Sequence, residues 1–103
     1  MKFEMDSQKK QGIIIIEGET SIQNIKSIKN LFEQAMKSTD TIVLDLDNTT
    51  YIDLTFLQLL YSAQQKCLES KKQIFFKNTS LEKIKRFVVE AGFSHSIVIK
   101  YKQ

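Results

Sequence analysis

The 103-residue sequence has no proline, one cysteine and one histidine, and of its 15 basic residues only Arg86 is arginine. Each shortage excludes something. Cys67 has no second cysteine for an internal disulfide, and together with His95 it falls short of the four ligands of a zinc site, so metal binding through Cys and His is excluded. No segment reaches the roughly 18 consecutive apolar residues of a membrane span, and the opening MKFEMDSQKK lacks the apolar centre of a secretory signal. The expectation is a cytoplasmic protein without membrane insertion. The formal charge of +3 raises nucleic-acid binding, but Lys9-Lys10, Lys71-Lys72, Lys83-Lys85-Arg86 and Lys100-Lys102 are dispersed and no basic run reaches five residues. Duplex binding needs a concentrated basic face with groove-reading side chains, so these lysines read as a solvated surface and no nucleic-acid partner is expected. With 42 % hydrophobic and 26 % charged residues and no proline, the composition is that of a compact globular chain, neither disordered nor fibrous. Its length suits one core and one domain, residues 1–103.

What is present is a regular alternation of strand and helix signals. Ile13 to Ile16 is a β-branched run between Gly12 and Gly18, and the alternating stretch around Lys2-Phe3-Glu4-Met5 before it is expected to pair with it as a hairpin. Thr20-Ser21-Ile22-Gln23 fits a capping box, after which Ile22, Ile25, Ile28, Phe32, Ala35 and Met36 recur at helical spacing. Residues 41–46 form a nearly continuous apolar run, the pattern of a central strand. A second amphipathic helix is read from Thr55 to about Ser70, followed by a strand over Lys72–Lys77. Thr79-Ser80-Leu81-Glu82 is another capping box, opening a helix with an apolar stripe from Leu81 to Ala91 that Gly92 closes. Ser96–Tyr101 supplies a last strand. The predicted order is β-β-α-β-α-β-α-β. It implies an α/β fold with a mixed sheet of about five strands, parallel where helices cross over and antiparallel at the opening hairpin.

Residues 43–60, VLDLDNTTYIDLTFLQLL, carry two overlapping phosphate-handling signals. Asp45-Leu46-Asp47-Asn48-Thr49 after an apolar run resembles the first motif of haloacid-dehalogenase-type phosphatases. That chemistry also needs a lysine and a hydroxyl to hold the phosphoryl oxygens and a later acidic cluster for magnesium. Downstream of Asp53 the only acids are Glu69, Glu82 and Glu90, each on the polar side of a predicted helix, and no phosphate-holding lysine is legible. Asp45 and Asp47 therefore read as polar residues ending a buried strand, and the protein is not expected to be an enzyme or to bind a metal or cofactor.

From about Gly12 to Tyr101 the element order and the segments IVLDLDNTTYIDLTFLQLL, KNTSLEKIKRFVVEAGF and IVIKYKQ resemble the STAS domain, the sulphate-transporter and anti-sigma-factor-antagonist family. Gly18-Glu19 and Gly92-Phe93 fit the family's early loop and third-helix end, and Tyr51-Ile52-Asp53-Leu54-Thr55 is the most specific match. The resemblance implies a non-enzymatic bacterial signalling regulator working by partner switching. It puts Thr55 at the phosphorylated serine or threonine and Asp53 at the acid two residues earlier. It also implies a partner-binding surface from Asp53, Leu54, Phe56, Leu57, Glu19 and Ser21, and Phe56, with Leu54 or Leu57, is expected to form an exposed apolar patch beside Thr55. Here Phe56 stands where glycine usually follows the acceptor, Leu54 replaces a common serine, and Ser21 stands where some antagonists carry an aspartate. The implied partner is a serine/threonine kinase-type anti-sigma factor or a chemotaxis signalling protein, since Leu57–Gln64 resembles stand-alone STAS proteins of chemotaxis operons. The residues leave a second reading open. Thr55-Phe56-Leu57-Gln58 also fits a capping box, in which case the chain is a constitutive scaffold or a subunit of a chemotaxis or transporter complex. The oligomeric state is not legible in the sequence.

Overall fold

In the computed structural model, which describes residues 2–6, 10–21 and 23–102, the chain runs β1 (Lys2–Asp6), β2 (Gln11–Ile15), β3 (Gly18–Thr20), α1 (Ile25–Ser38), β4 (Thr41–Asp45), β5 (Thr49–Ile52), α2 (Leu54–Glu69), β6 (Gln73–Lys77), a 3-10 turn (Asn78–Ser80), α3 (Leu81–Glu90) and β7 (Tyr101–Lys102). Lys9 of the expected surface lysines and Ile22 of the expected helix stripe lie outside the described residues, as does the side chain of Lys102. Five strands form one sheet in the order β1-β2-β4-β6-β7, and β3 and β5 pair in a small separate ribbon. β1 is antiparallel to β2, while β2, β4, β6 and β7 are mutually parallel, as hairpin and helix-crossover connections require.

Strand alternation divides the sheet into two unlike faces. Ile14, Ile42, Leu44, Ile74 and Phe76 point to one side and share a buried core with Ile28 and Phe32 of α1, Phe56, Leu57 and Leu60 of α2, and Ile84 and Val88 of α3. Gly12 admits the Phe3 ring across the hairpin, since a β-carbon there would stand 2.5 Å from its edge. α3 ends as its sequence predicts. Gly92 takes φ +77, its amide donates to Val89 and that of Phe93 to Val88, the paired bonds of a Schellman motif. Cys67 is buried on α2, where burial pushes its thiol up against the opposing pull of Lys72 and Lys100, and His95 is exposed.

Three local expectations change. α1 begins at Ile25, not at Thr20, because Thr20 belongs to β3 and the Asn24 side chain folds the intervening turn, accepting from Ser21 N–H at 2.8 Å and donating to Glu19 C=O at 2.7 Å. The last strand is confined to Tyr101–Lys102 instead of starting at Ser96. The reason is Gln64 of α2, whose amide donates to Val98 C=O at 2.6 Å and accepts from Val98 N–H at 3.1 Å, so a side chain takes the bonds that a strand neighbour would. Finally, β3 and β5 were not foreseen, since three- and four-residue strands are too short to show a period.

Candidate functional site

The C-terminal ends of the parallel strands carry the β3–β5 ribbon, in which Glu19 lies opposite Tyr51 and Thr20 opposite Ile52. Ile52 is buried and anchors the ribbon, and the chain then turns at Asp53 into α2. Asp53 has extended backbone and accepts the amide of Phe56 on Oδ1 at 3.0 Å, while its carbonyl takes that of Leu57 at 3.3 Å; it is the N-cap. The Asp53 amide in turn donates to the Thr20 hydroxyl at 3.0 Å, and that hydroxyl donates to Tyr51 C=O at 3.3 Å. One buried threonine thus ties the ribbon to the helix start, so that Glu19, Ser21, Tyr51, Asp53, Leu54 and Thr55 share one end of the molecule.

Because Asp53 caps α2, Thr55 does not, which corrects the capping box read over Thr55–Gln58. Thr55 is the second residue of the helix, half-buried, and its hydroxyl has no hydrogen bond among the described residues. It lies in the first turn, where amides lack intrahelical acceptors and the helix dipole favours an anion. Asp53→Ala is expected to cost about 1 kcal/mol through loss of the cap, and Thr55→Ala less than about 0.5 kcal/mol. Urea unfolding of both variants checks this; an equal or larger loss in Thr55→Ala would return the cap to Thr55.

The apolar patch is also rearranged. Phe56 and Leu57, expected at the docking surface, are 0 % and 1 % exposed and belong to the core, because positions following a capped turn point inward on α2. The large apolar side chains that face outward here are Leu54 and Tyr51, 51 % and 53 % exposed. Tyr51 was missed as a surface residue, although its place next to an inward Ile52 on a strand marks it. Its ring meets the half-buried Phe87 of α3 edge-on at 6.3 Å, and the Arg86 guanidinium lies 5.6 Å from the Phe87 ring.

The aspartates of the phosphatase-like motif sit in a separate network that grips the β4–β5 loop. Asp47 accepts from the Thr79 hydroxyl at 2.7 and 2.8 Å, from the Ser80 hydroxyl at 2.7 Å and from the Lys77 ammonium at 2.9 Å. Burial works to raise the Asp47 carboxyl, but the hydrogen bonds from Lys77, Ser80 and Thr79 and the Lys77 charge outweigh it and hold the carboxyl at about 2. Lys77 is raised, first by its bond to Asp47 and then by the charges of Asp45 and Asp47. Ser80 also accepts the Leu46 amide at 2.9 Å, and the Lys83 ammonium donates to the carbonyls of Leu46, Asp47 and Thr49 at 3.0, 2.9 and 2.7 Å. Two corrections follow. Thr79 and Ser80 bond to this loop and do not form the expected capping box, and lysines do stand beside the motif where none was legible. Yet those lysines bind the chain's own carboxylates and carbonyls. Among the described residues no group of three His, Cys, Asp or Glu side chains stands close enough to hold a metal ion, and no helix is long and apolar enough to cross a membrane.

A family model described as "Mlab, STAS domain" matches residues 3–100. Among solved structures, the anti-sigma factor antagonist SpoIIAA in its unphosphorylated form is 13 % identical with a TM-score of 0.68, over 99 % of this chain and 88 % of that one. The Bacillus cell fate determinant SpoIIAA in the phosphorylated form is 12 % identical with a TM-score of 0.66, over 98 % of this chain and 93 % of that one. A sulfate transporter family protein from Wolinella succinogenes is 16 % identical with a TM-score of 0.55, over 86 % of this chain and 75 % of that one. No curated protein sequence matches.

Proposed function

The chain belongs to the STAS domain family, and from that premise we propose that it is a non-enzymatic bacterial regulator that binds a partner protein around the start of α2 and is switched by phosphorylation of Thr55. The observation that carries this reading is the half-buried Thr55 hydroxyl, without a hydrogen bond among the described residues, in the first turn of a helix that Asp53 already caps. A threonine relieved of the capping role is available for modification, and the helix N-terminus suits the added anion. The fold shared with SpoIIAA, solved in unphosphorylated and phosphorylated forms, supports it. Leu54, Tyr51, Asp53, Glu19 and Ser21 make the docking surface, and the partner is a serine/threonine kinase-type anti-sigma factor or a chemotaxis signalling protein.

A phosphate on Thr55 adds about −1.5 to −2 charges where the helix end favours an anion by roughly 0.3–1 kcal/mol, so the fold should persist. Asp53 repels the new charge, and docking over Leu54 and Tyr51 would have to strip its water, so binding should weaken. The expected result is an unchanged melting transition and at least about tenfold weaker partner binding, a loss of about 1.4 kcal/mol, for phosphorylated Thr55, measured by thermal melting and by titration against a partner recovered from cells. Equal affinity for the two forms would overturn the switch. A second reading, a constitutive subunit of a transporter complex, is favoured by the fold shared with the Wolinella succinogenes sulfate transporter family protein. It predicts recovery of the complex with Thr55 unmodified in cells and with Thr55→Ala binding as the wild type does.

A further inference from the structure

We infer that Thr20 is a positioning residue of the docking end: its hydroxyl completes the cap of α2 from β3 and couples the charge on Thr55 to the strand that carries Glu19. The inference rests on the proposed switch, which supplies that charge. β3 and β5 have three and four residues, too few for a two-stranded ribbon to hold its own place, so hydrogen bonds from side chains and loops set where it lies. At its base the Thr49 hydroxyl donates to Ile16 C=O at 2.6 Å and the Gly18 amide to Asn48 C=O at 2.9 Å. At its tip the bond crosses to the helix, where Thr20 accepts the Asp53 amide at 3.0 Å.

The helix needs that bond because its own sequence does not provide it. In a capping box the N-cap side chain takes the amide three residues on, and a Glu or Gln at that third position reaches back to the N-cap amide. Asp53 performs the first half on the Phe56 amide at 3.0 Å. Phe56 carries no acceptor and is 0 % exposed, so the second half is missing within α2. Thr20 supplies it from 33 positions earlier in the chain. A hydroxyl has one proton and free lone pairs, so Thr20 accepts from Asp53 while donating to Tyr51 C=O at 3.3 Å. Because Thr20 is 0 % exposed, exchanging this acceptor for water requires the ribbon to move.

Thr55 lies in the same turn, two residues after Asp53. An anion there stands beside the Asp53 carboxylate, and the two compete for the free amides of the first turn. Displacing Asp53 strains its bond to Thr20, which Glu19 and Ser21 flank in the chain. The charge on Thr55 thus reaches the docking strand through one hydroxyl. Such coupling is reciprocal, so a partner seated on Glu19 also shifts the presentation of Thr55.

The test compares amide NMR spectra of the isotope-labelled full chain as wild type, Thr20→Val and Thr20→Ser, each with and without Thr55→Glu, with thermal melting of every variant. In the wild type and in Thr20→Ser, Thr55→Glu should shift the Glu19 and Ser21 amide signals as well as those at the start of α2. In Thr20→Val, which keeps the shape and removes the hydroxyl, the shifts should stop at α2. Titration against the partner recovered from cells with the wild type should find Thr20→Val about three- to tenfold weaker, the worth of one hydrogen bond, and Thr20→Ser within about twofold of the wild type. Equal Glu19 and Ser21 shifts in Thr20→Val and the wild type would overturn the inference, as would wild-type affinity in Thr20→Val. A Thr20→Val chain without a melting transition would overturn it too, by making the hydroxyl a support of the whole fold. None of these results touches the switch, which is decided by the two phosphorylation states of the wild type, so each proposal can fail without the other.

Discussion

Replacing Phe56 with alanine should lower the stability of the domain by about 3–5 kcal/mol, the usual cost of removing a buried aromatic ring when its surroundings cannot collapse. Phe56 is 0 % exposed and packs within the cluster that joins α2 to the sheet. Against a total stability of about 5–15 kcal/mol, the loss removes roughly a fifth or more and leaves a measurable unfolded fraction on mild heating. The neighbouring Leu54→Ala should change stability by less than about 0.5 kcal/mol because the side chain is 51 % exposed, and its effect should fall on partner binding. Urea unfolding of the two variants distinguishes these roles. A Phe56→Ala loss below about 1 kcal/mol would mean that the ring is peripheral. The result also bears on the proposed regulation, in which a buried Phe56 would fix the proposed acceptor Thr55 to the core and leave Leu54 and Tyr51 as the apolar part of the proposed docking surface.

The second large effect is expected from Lys83→Met. This ammonium uses its three protons on the carbonyls of Leu46, Asp47 and Thr49, and methionine keeps the length of the side chain while removing every donor. Hydrogen bonds from a charged donor are each worth about 1.5–3 kcal/mol, but the site is partly open and water replaces some of them, so the expected loss is about 2–4 kcal/mol. Amide exchange should accelerate over residues 45–52 more than over α1, because the loop leads directly into β5. Lys83→Arg should recover only part, since a planar fork does not match three carbonyls arranged around a compact ammonium. Exchange that rises uniformly across the chain would argue against a local latch. The ionic half of the same network is checked by acid. The Asp47 carboxyl is lower in the folded chain, about 2 against an ordinary 3.8, so its contribution of at most about 2 kcal/mol is fully present above 3.8 and is lost as pH falls through 2. In Asp47→Asn that part of the acid dependence should disappear.

The parallel sheet with its antiparallel hairpin, the three helices and the Gly92 stop were legible in the sequence, because each rests on a local pattern of period, cap or turn that chain neighbours enforce. Thr55 and Asp53 were legible as neighbours of a helix start. Their division of labour was not, because a Thr-x-x-Gln capping box and an aspartate cap two residues earlier are equally good local solutions, and Thr20, 33 residues before Asp53 in the chain, decides between them by holding the Asp53 amide. Similarly, Thr79-Ser80 offered a local cap, but Asp47 across the β4–β6 edge offered a charged acceptor and took both hydroxyls. The side of α2 on which Phe56 falls, and the start of the last strand, likewise depended on distant residues, the latter on Gln64. Local periodicity thus determined which elements exist and in what order. Only the tertiary structure decided which hydroxyls cap, which apolar residues face water and which lysine closes the loop, since polar groups choose among partners by whole-chain geometry and the strongest available acceptor.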